Sequence, residues 1–193
     1  YKRQLNKVID FVYDKIKNPE ITLLGHSRGG GISILKSSID PRVKKIVSWA
    51  SPSNFLNRMD EERIDLWKEK GVIYVYNGRT KQNMPMYLQF YEDCIKNRDQ
   101  LDIRKAVINL TIPQLIVHGD SDPTVLVGEA KDIHKWNSSS VLCILNGADH
   151  VFGASHPYNT NILPSDMQFV VEKTINFINC LLYTSDAADD LIG

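Results

Sequence analysis

The sequence holds no long uninterrupted apolar run and no excess charge of either sign. Lys and Arg total 23 against 23 for Asp and Glu, a formal net charge of zero. No membrane span is implied, and there is no electrostatic footprint for nucleic acid or an anionic membrane surface. Cysteine is scarce: Cys94, Cys143 and Cys180 are the three, scattered without metal-ligand spacing, which argues against a disulfide scaffold. Cys143, within an apolar strand-like run, reads as a small buried hydrophobe. Internal repeats and low-complexity linkers are missing, and no set of His, Cys, Asp and Glu has recognisable metal spacing. The glycines Gly29, Gly30 and Gly31 are not followed by Gly-Lys-Ser/Thr, so they do not make a phosphate loop. The first residue is Tyr1 rather than Met, and no signal peptide is visible. The natural N-terminus is therefore expected to lie upstream, which leaves the compartment and the oligomeric state open.

What remains is ordinary globular composition, 42% hydrophobic and 24% charged over 193 residues, enough for one domain with a sizeable core. Residues 180 to 190, Cys-Leu-Leu-Tyr-Thr-Ser-Asp-Ala-Ala-Asp-Asp, resemble the in-frame translation of a sequencing adapter, with Leu191, Ile192 and Gly193 expected from the index beyond it, and 180 to 193 are set aside from functional reasoning. Residues 1 to 179 are then the expected domain.

Apolar spacing of Leu5, Val8, Ile9, Val12 and Ile16 predicts an amphipathic helix ending at Asn18-Pro19. Short apolar strands are expected at Ile21 to Leu24, Val43 to Trp49, Gln114 to His118 and Val141 to Leu145, with helices between them. Ser165 to Gln168 reads as a capping box opening a last helix. Continuous apolar strands alternating with helices give an α/β class with a parallel sheet covered on both faces. Between the second and third strands lies an insertion of about residues 51 to 112, too long to be a simple loop. Within it a charged helix (Asp60 to Lys70), a strand (Val72 to Tyr76), a tight turn at Asn77-Gly78 and a helix starting at Pro85 are expected. That last helix would carry Tyr87, Phe90, Tyr91, Cys94 and Ile95 on one side, for packing or for shaping a pocket as a lid.

The most informative segment is Gly25-His26-Ser27-Arg28-Gly29, where an apolar strand ends abruptly and a helix begins. A serine on such a strained turn is the arrangement of a nucleophile elbow, the flanking glycines having no Cβ to collide where strand and helix backbones meet. A serine hydroxyl is a poor nucleophile unless a histidine takes its proton, and that histidine needs a carboxylate to fix its tautomer. The third strand runs into His118-Gly-Asp120-Ser-Asp122-Pro-Thr-Val125, and the fourth into Asn146-Gly-Ala-Asp149-His150-Val. Candidate bases are His150 and His156, and candidate acids Asp120 and Asp122.

These segments resemble the α/β-hydrolase family over nearly all of residues 1 to 179, in particular its dienelactone-hydrolase and prolyl-oligopeptidase-like branch. The resemblance implies an α/β-hydrolase fold lacking its N-terminal strands, with Ser27 as nucleophile, Asp122 as acid and His150 as base. Asp120 is then a turn or capping residue, His118 structural, His134 exposed on a helix, and His26 packed beneath the turn. Arg28 supplies one backbone N–H to an oxyanion hole, the second donor falling in the missing portion. His26, Tyr87, Phe90 and Tyr91 are candidate substrate-binding residues. The implied activity is hydrolysis of carboxylic esters or small acyl compounds without cofactor or metal. An acyl-peptide or dipeptidyl hydrolase and a non-catalytic hydrolase-fold binding module are the alternatives.

Overall fold

A computed structural model describes residues 2–56, 59–77 and 80–180. The chain runs α1 (Lys2–Lys15), β1 (Ile21–His26), α2 (Arg28–Ser37), β2 (Val43–Trp49), α3 (Glu61–Lys70), β3 (Val72–Asn77), β4 (Gln82–Tyr87), α4 (Gln89–Lys96), α5 (Ile103–Ile108), β5 (Gln114–Gly119), α6 (Val127–Trp136), β6 (Val141–Leu145) and α7 (Ser165–Cys180). Four strands form one parallel sheet in the order β1-β2-β5-β6. Parallel neighbours need crossover connections, and because the strands run parallel the C-terminal ends of β1, β5 and β6 come to the same side of the sheet. The last helix reaches Cys180, one residue into the segment set aside as a tail, and 181–193 lie outside the described residues.

Two apolar clusters hold the sheet between helices. Leu23, Val43, Ile46 and Ile116 pack with Ile34 and Leu35 of α2, Ile103 and Val107 of α5, and Ile133 of α6. On the other face Val47, Leu115, Val117 and Leu145 pack with Phe152 and with Val170 of α7. The expectation of a sheet covered on both faces holds at β5, where every residue is buried, but not at β1. There burial alternates along the strand and Leu24 is 45% exposed, because no helix among the described residues covers that face. The α1 stripe is likewise narrower than its sequence spacing predicts: Ile9 is buried, whereas Val8 is exposed, as is Ile16 just beyond the helix end.

The insertion differs from the sequence reading at Pro85, and it also holds α5 (Ile103–Ile108), which the apolar pattern did not signal. Pro85 does not open a helix; it lies in β4 opposite Tyr74 of β3, in a two-stranded antiparallel hairpin. A hairpin of two strands has only edges, so the missing proline N–H costs no central ladder bond. Helix α4 begins four residues later, which leaves Tyr87 on the strand. Of the expected turn, Asn77 ends β3 and Gly78 lies outside the described residues. The insertion has its own small core around Trp67, whose indole N–H donates to the Met86 carbonyl at 2.8 Å. At α7 the Gln168 amide donates to the Pro164 carbonyl, so the helix starts one residue earlier than a cap at Ser165 would place it. No helix among the described residues is long and apolar enough to cross a membrane.

An ion cluster ties α1, α2 and β2. Asp40 is buried and accepts from Lys36 at 2.6 Å and from Arg42 Nη2 at 2.8 Å and Nε at 2.9 Å, while Arg42 Nη1 reaches Asp10 at 2.7 Å. The Arg42 bonds hold the Asp40 carboxyl well below the usual carboxylate range, with Lys36 assisting and burial opposing. A carboxyl whose pKa falls on folding stabilises fully above its unfolded value, about 3.9, and loses that contribution as pH falls below it. Asp40→Asn is expected to lower unfolding free energy at pH 7 by about 1–3 kcal/mol, a gap that narrows below about pH 4. Urea denaturation at pH 7 and pH 3 checks both the size and the sign.

Candidate functional site

Ser27 sits where β1 ends and α2 begins, with φ 54° and ψ −128°, a backbone conformation that side-chain-bearing residues seldom adopt. The turn is fixed by backbone bonds on both sides: Ser27 N–H donates to the Trp49 carbonyl at 2.8 Å, and Gly30 N–H to the Ser27 carbonyl at 2.8 Å. The close approach falls on one flanking glycine only. A Cβ on Gly25 would lie 2.3 Å from the Gly29 carbonyl oxygen, whereas one on Gly29 would meet nothing within 4 Å. The sequence expectation that both glycines avoid a collision is corrected to Gly25 alone.

Three side chains from three distant segments form one hydrogen-bonded line. Ser27 Oγ lies 3.0 Å from His150 Nε2, and His150 Nδ1 lies 2.7 Å from Asp122 Oδ2. The Asp122 carboxylate only accepts, so Nδ1 carries the proton and Nε2 is left to accept from the serine hydroxyl. Asp122 is buried, and its other oxygen accepts from the Thr124 N–H at 2.7 Å and the Val125 N–H at 2.9 Å. Burial pushes the Asp122 pKa up, but hydrogen bonds from His118, His150 and the Val125 N–H outweigh it and hold the carboxyl well below its usual range.

His118 is fully buried at the end of β5, its Nε2 2.8 Å from the Val125 carbonyl and 3.4 Å from Asp122 Oδ2. Both neighbours accept, so Nε2 carries the proton and the ring braces the Asp122 turn. Asp120 Oδ1 accepts from the Gly147 N–H at 2.7 Å, joining the ends of β5 and β6. That junction is tight: a Cβ on Gly119 would lie 2.1 Å from the Ala148 carbonyl oxygen, a requirement the sequence reading missed because it arises between segments far apart in the chain. His156 is not in the line with Ser27; it borders a cleft of about 390 Å³ with Thr80, Lys81 and Gln82. His134 is half-buried, not exposed, with Nδ1 2.9 Å from Ser140 Oγ.

His26 departs from its expected place beneath the turn. It is exposed, its Nε2 is 2.7 Å from the His150 carbonyl oxygen, and its ring lies 4.8 Å from that of His150. Arg28, the first residue of α2, has an amide without an intrahelical acceptor, beside Ser27 at the positive end of the helix dipole. Its guanidinium stacks over Phe90 of α4, 4.5 Å from the ring centre. Phe90 stacks in turn on Trp67 at 6.3 Å, and Tyr91 meets Trp67 at 6.1 Å. Phe90 therefore joins the insertion to the elbow, Tyr91 packs within the insertion, and Tyr87 is exposed on β4. A cleft of about 540 Å³ between residues 53–56, α4, α5 and α6 includes none of Ser27, Asp122 and His150. Among the described residues no group of three or more metal-ligating side chains converges.

No protein-family model and no curated protein matches the chain. Solved structures do. Est1E from Butyrivibrio proteoclasticus, with ferulic acid bound, superposes with a TM-score of 0.67 at 18% identity over 92% of this chain and 66% of its own. The α/β hydrolase GrgF from a Penicillium species gives 0.62 at 15% identity, over 91% of this chain and 69% of its own. The esterase domain of a Rhodothermus marinus protein gives 0.58 at 17% identity, over 80% of this chain. This chain spans 62% of the length of that domain. The fold is that of the α/β-hydrolases.

The asymmetry of the two elbow glycines is testable by thermal or urea unfolding. Gly25→Ala is expected to destabilise by about 1–3 kcal/mol or more, since the colliding atoms are backbone. Gly29→Ala is expected to leave stability within about 1 kcal/mol of the parent, the open helical site favouring alanine.

Proposed function

We propose that the protein is a serine hydrolase that cleaves carboxylic esters or small acyl compounds through an acyl-enzyme. The observation that carries this reading is the unbroken line from Ser27 Oγ through the His150 ring to the buried Asp122 carboxylate. A binding module has no chemical need for a buried acid that fixes the tautomer of a histidine against a strained serine.

In the proposed reaction, Ser27 Oγ attacks the substrate carbonyl carbon while its proton passes to His150 Nε2. Asp122, ionised and fully bonded, stabilises the imidazolium and keeps Nδ1 protonated. The Arg28 N–H donates to the developing oxyanion, and the N-terminus of α2 favours the same negative charge. His150 then protonates the leaving group as its bond to carbon breaks, which yields the Ser27 ester. Water, deprotonated by His150, attacks that ester, releases the carboxylic acid and returns the proton to Ser27.

Specificity is assigned to the insertion. Phe90 is its residue in direct contact with the elbow, through Arg28, and is the strongest of the aromatic candidates for contacting substrate. Structural neighbours that are esterases or a lipase support ester and small acyl substrates over peptides.

On a p-nitrophenyl ester, Ser27→Ala and His150→Ala are each expected to lower kcat by about four to six orders of magnitude, with the double variant losing little more. Steady-state kinetics of the three variants decides the matter, since modest and additive losses would contradict acyl-enzyme chemistry.

A further inference from the structure

We infer that His26 is a positioning residue that holds His150 in place while Ser27 is acylated, an inference that rests on the serine-hydrolase reading. In the resting protein the His150 ring is held from two directions, by Asp122 at Nδ1 and by the Ser27 hydroxyl at Nε2. Acylation replaces the hydroxyl proton with an acyl group, so the second of these holds is lost when His150 must next bind and activate water. The bond from His26 does not depend on it. His26 Nε2 lies 2.7 Å from the main-chain carbonyl oxygen of His150, and that oxygen can only accept, so the ring nitrogen donates.

The anchor is rigid at its strand end. His26 is the last residue of β1, in register with Trp49 of β2, and the next residue is Ser27. Its ring lies 4.8 Å from His150 and 6.4 Å edge-on from Phe152, which is itself fully buried and edge-on to Trp49 at 6.1 Å. The segment that carries His150 is a turn outside any strand, closed by Asp149 Oδ1 accepting from the Val151 N–H at 3.0 Å and the Gly153 N–H at 2.9 Å. His26 thus fastens this turn to the strand that presents the nucleophile, across 124 residues of sequence. One strand end sets both the serine and the distance of its base.

The substitutions separate the donor from the ring. His26→Phe keeps an aromatic ring beside His150 and Phe152 but removes the N–H; His26→Gln places an amide N–H at similar reach. With p-nitrophenyl acetate, His26→Phe is expected to lower kcat on the order of tenfold to a hundredfold with KM and melting temperature nearly unchanged. Deacylation should slow more than acylation, seen as a larger initial burst of p-nitrophenol relative to the steady rate, and His26→Gln should recover most of the loss. Wild-type kinetics in His26→Phe, equal losses in Phe and Gln, or a change confined to KM would overturn the proposal. The ring N–H proton of His150 facing Asp122, followed by NMR in histidine labelled with nitrogen-15, reads His150 placement without turnover. It should be retained in His26→Gln and shifted or broadened in His26→Phe. An unchanged resonance in His26→Phe overturns the inference even if the protein hydrolyses nothing, whereas a shifted resonance in a protein without esterase activity overturns the serine-hydrolase reading and leaves the His26 anchor standing.

Discussion

The strained turn at Ser27 is the constraint on which the rest of the site depends. A residue with φ 54° between a strand and a helix costs about 1–3 kcal/mol and persists only where its surroundings over-determine it. Here the surroundings are the bond from Ser27 N–H to Trp49, the bond from Gly30 back to Ser27, and the absent Cβ of Gly25. The turn lifts one hydroxyl clear of the sheet at its C-terminal end and points the start of α2 at the same spot. His150 and Asp122 gain their meaning from that placement.

The remaining parts converge because the sheet is parallel. β1, β5 and β6 all end on the same side, so the turns that follow them meet although their residues are far apart in sequence. Asp122 stands on a turn braced by His118 and by two backbone amides, and Asp120 staples that turn to the start of the His150 segment. These bonds engage both oxygens of the Asp122 carboxylate, which fixes its orientation. An acid so tightly held keeps His150 in the tautomer that can accept a serine proton.

Much of this was legible in the sequence because its signals are local. The elbow pentapeptide, the apolar strands around it and the short segments that carry Asp122 and His150 each occupy a few consecutive residues, and each of those strands lies within a residue or two of its expected limits. What escaped depends on contacts between distant segments. Pro85 carried a helix-start signal that pairing with Tyr74 overrode, and the open face at Leu24 could not be read from an apolar run that suits a buried strand equally well. The sequence predicts a place under the turn for His26, yet the ring bonds a main-chain oxygen of a distant segment, and main-chain atoms leave no trace in sequence.

The claim that Ser27 is an activated nucleophile is tested most directly by a fluorophosphonate, which phosphonylates a serine only when its hydroxyl is activated, releasing fluoride. The account predicts a single covalent adduct on the folded protein, located by mass spectrometry in the tryptic peptide 18–28, lost in Ser27→Ala and strongly slowed in His150→Ala. No adduct on folded protein, or labelling at Ser27 that is indifferent to His150→Ala, would contradict it.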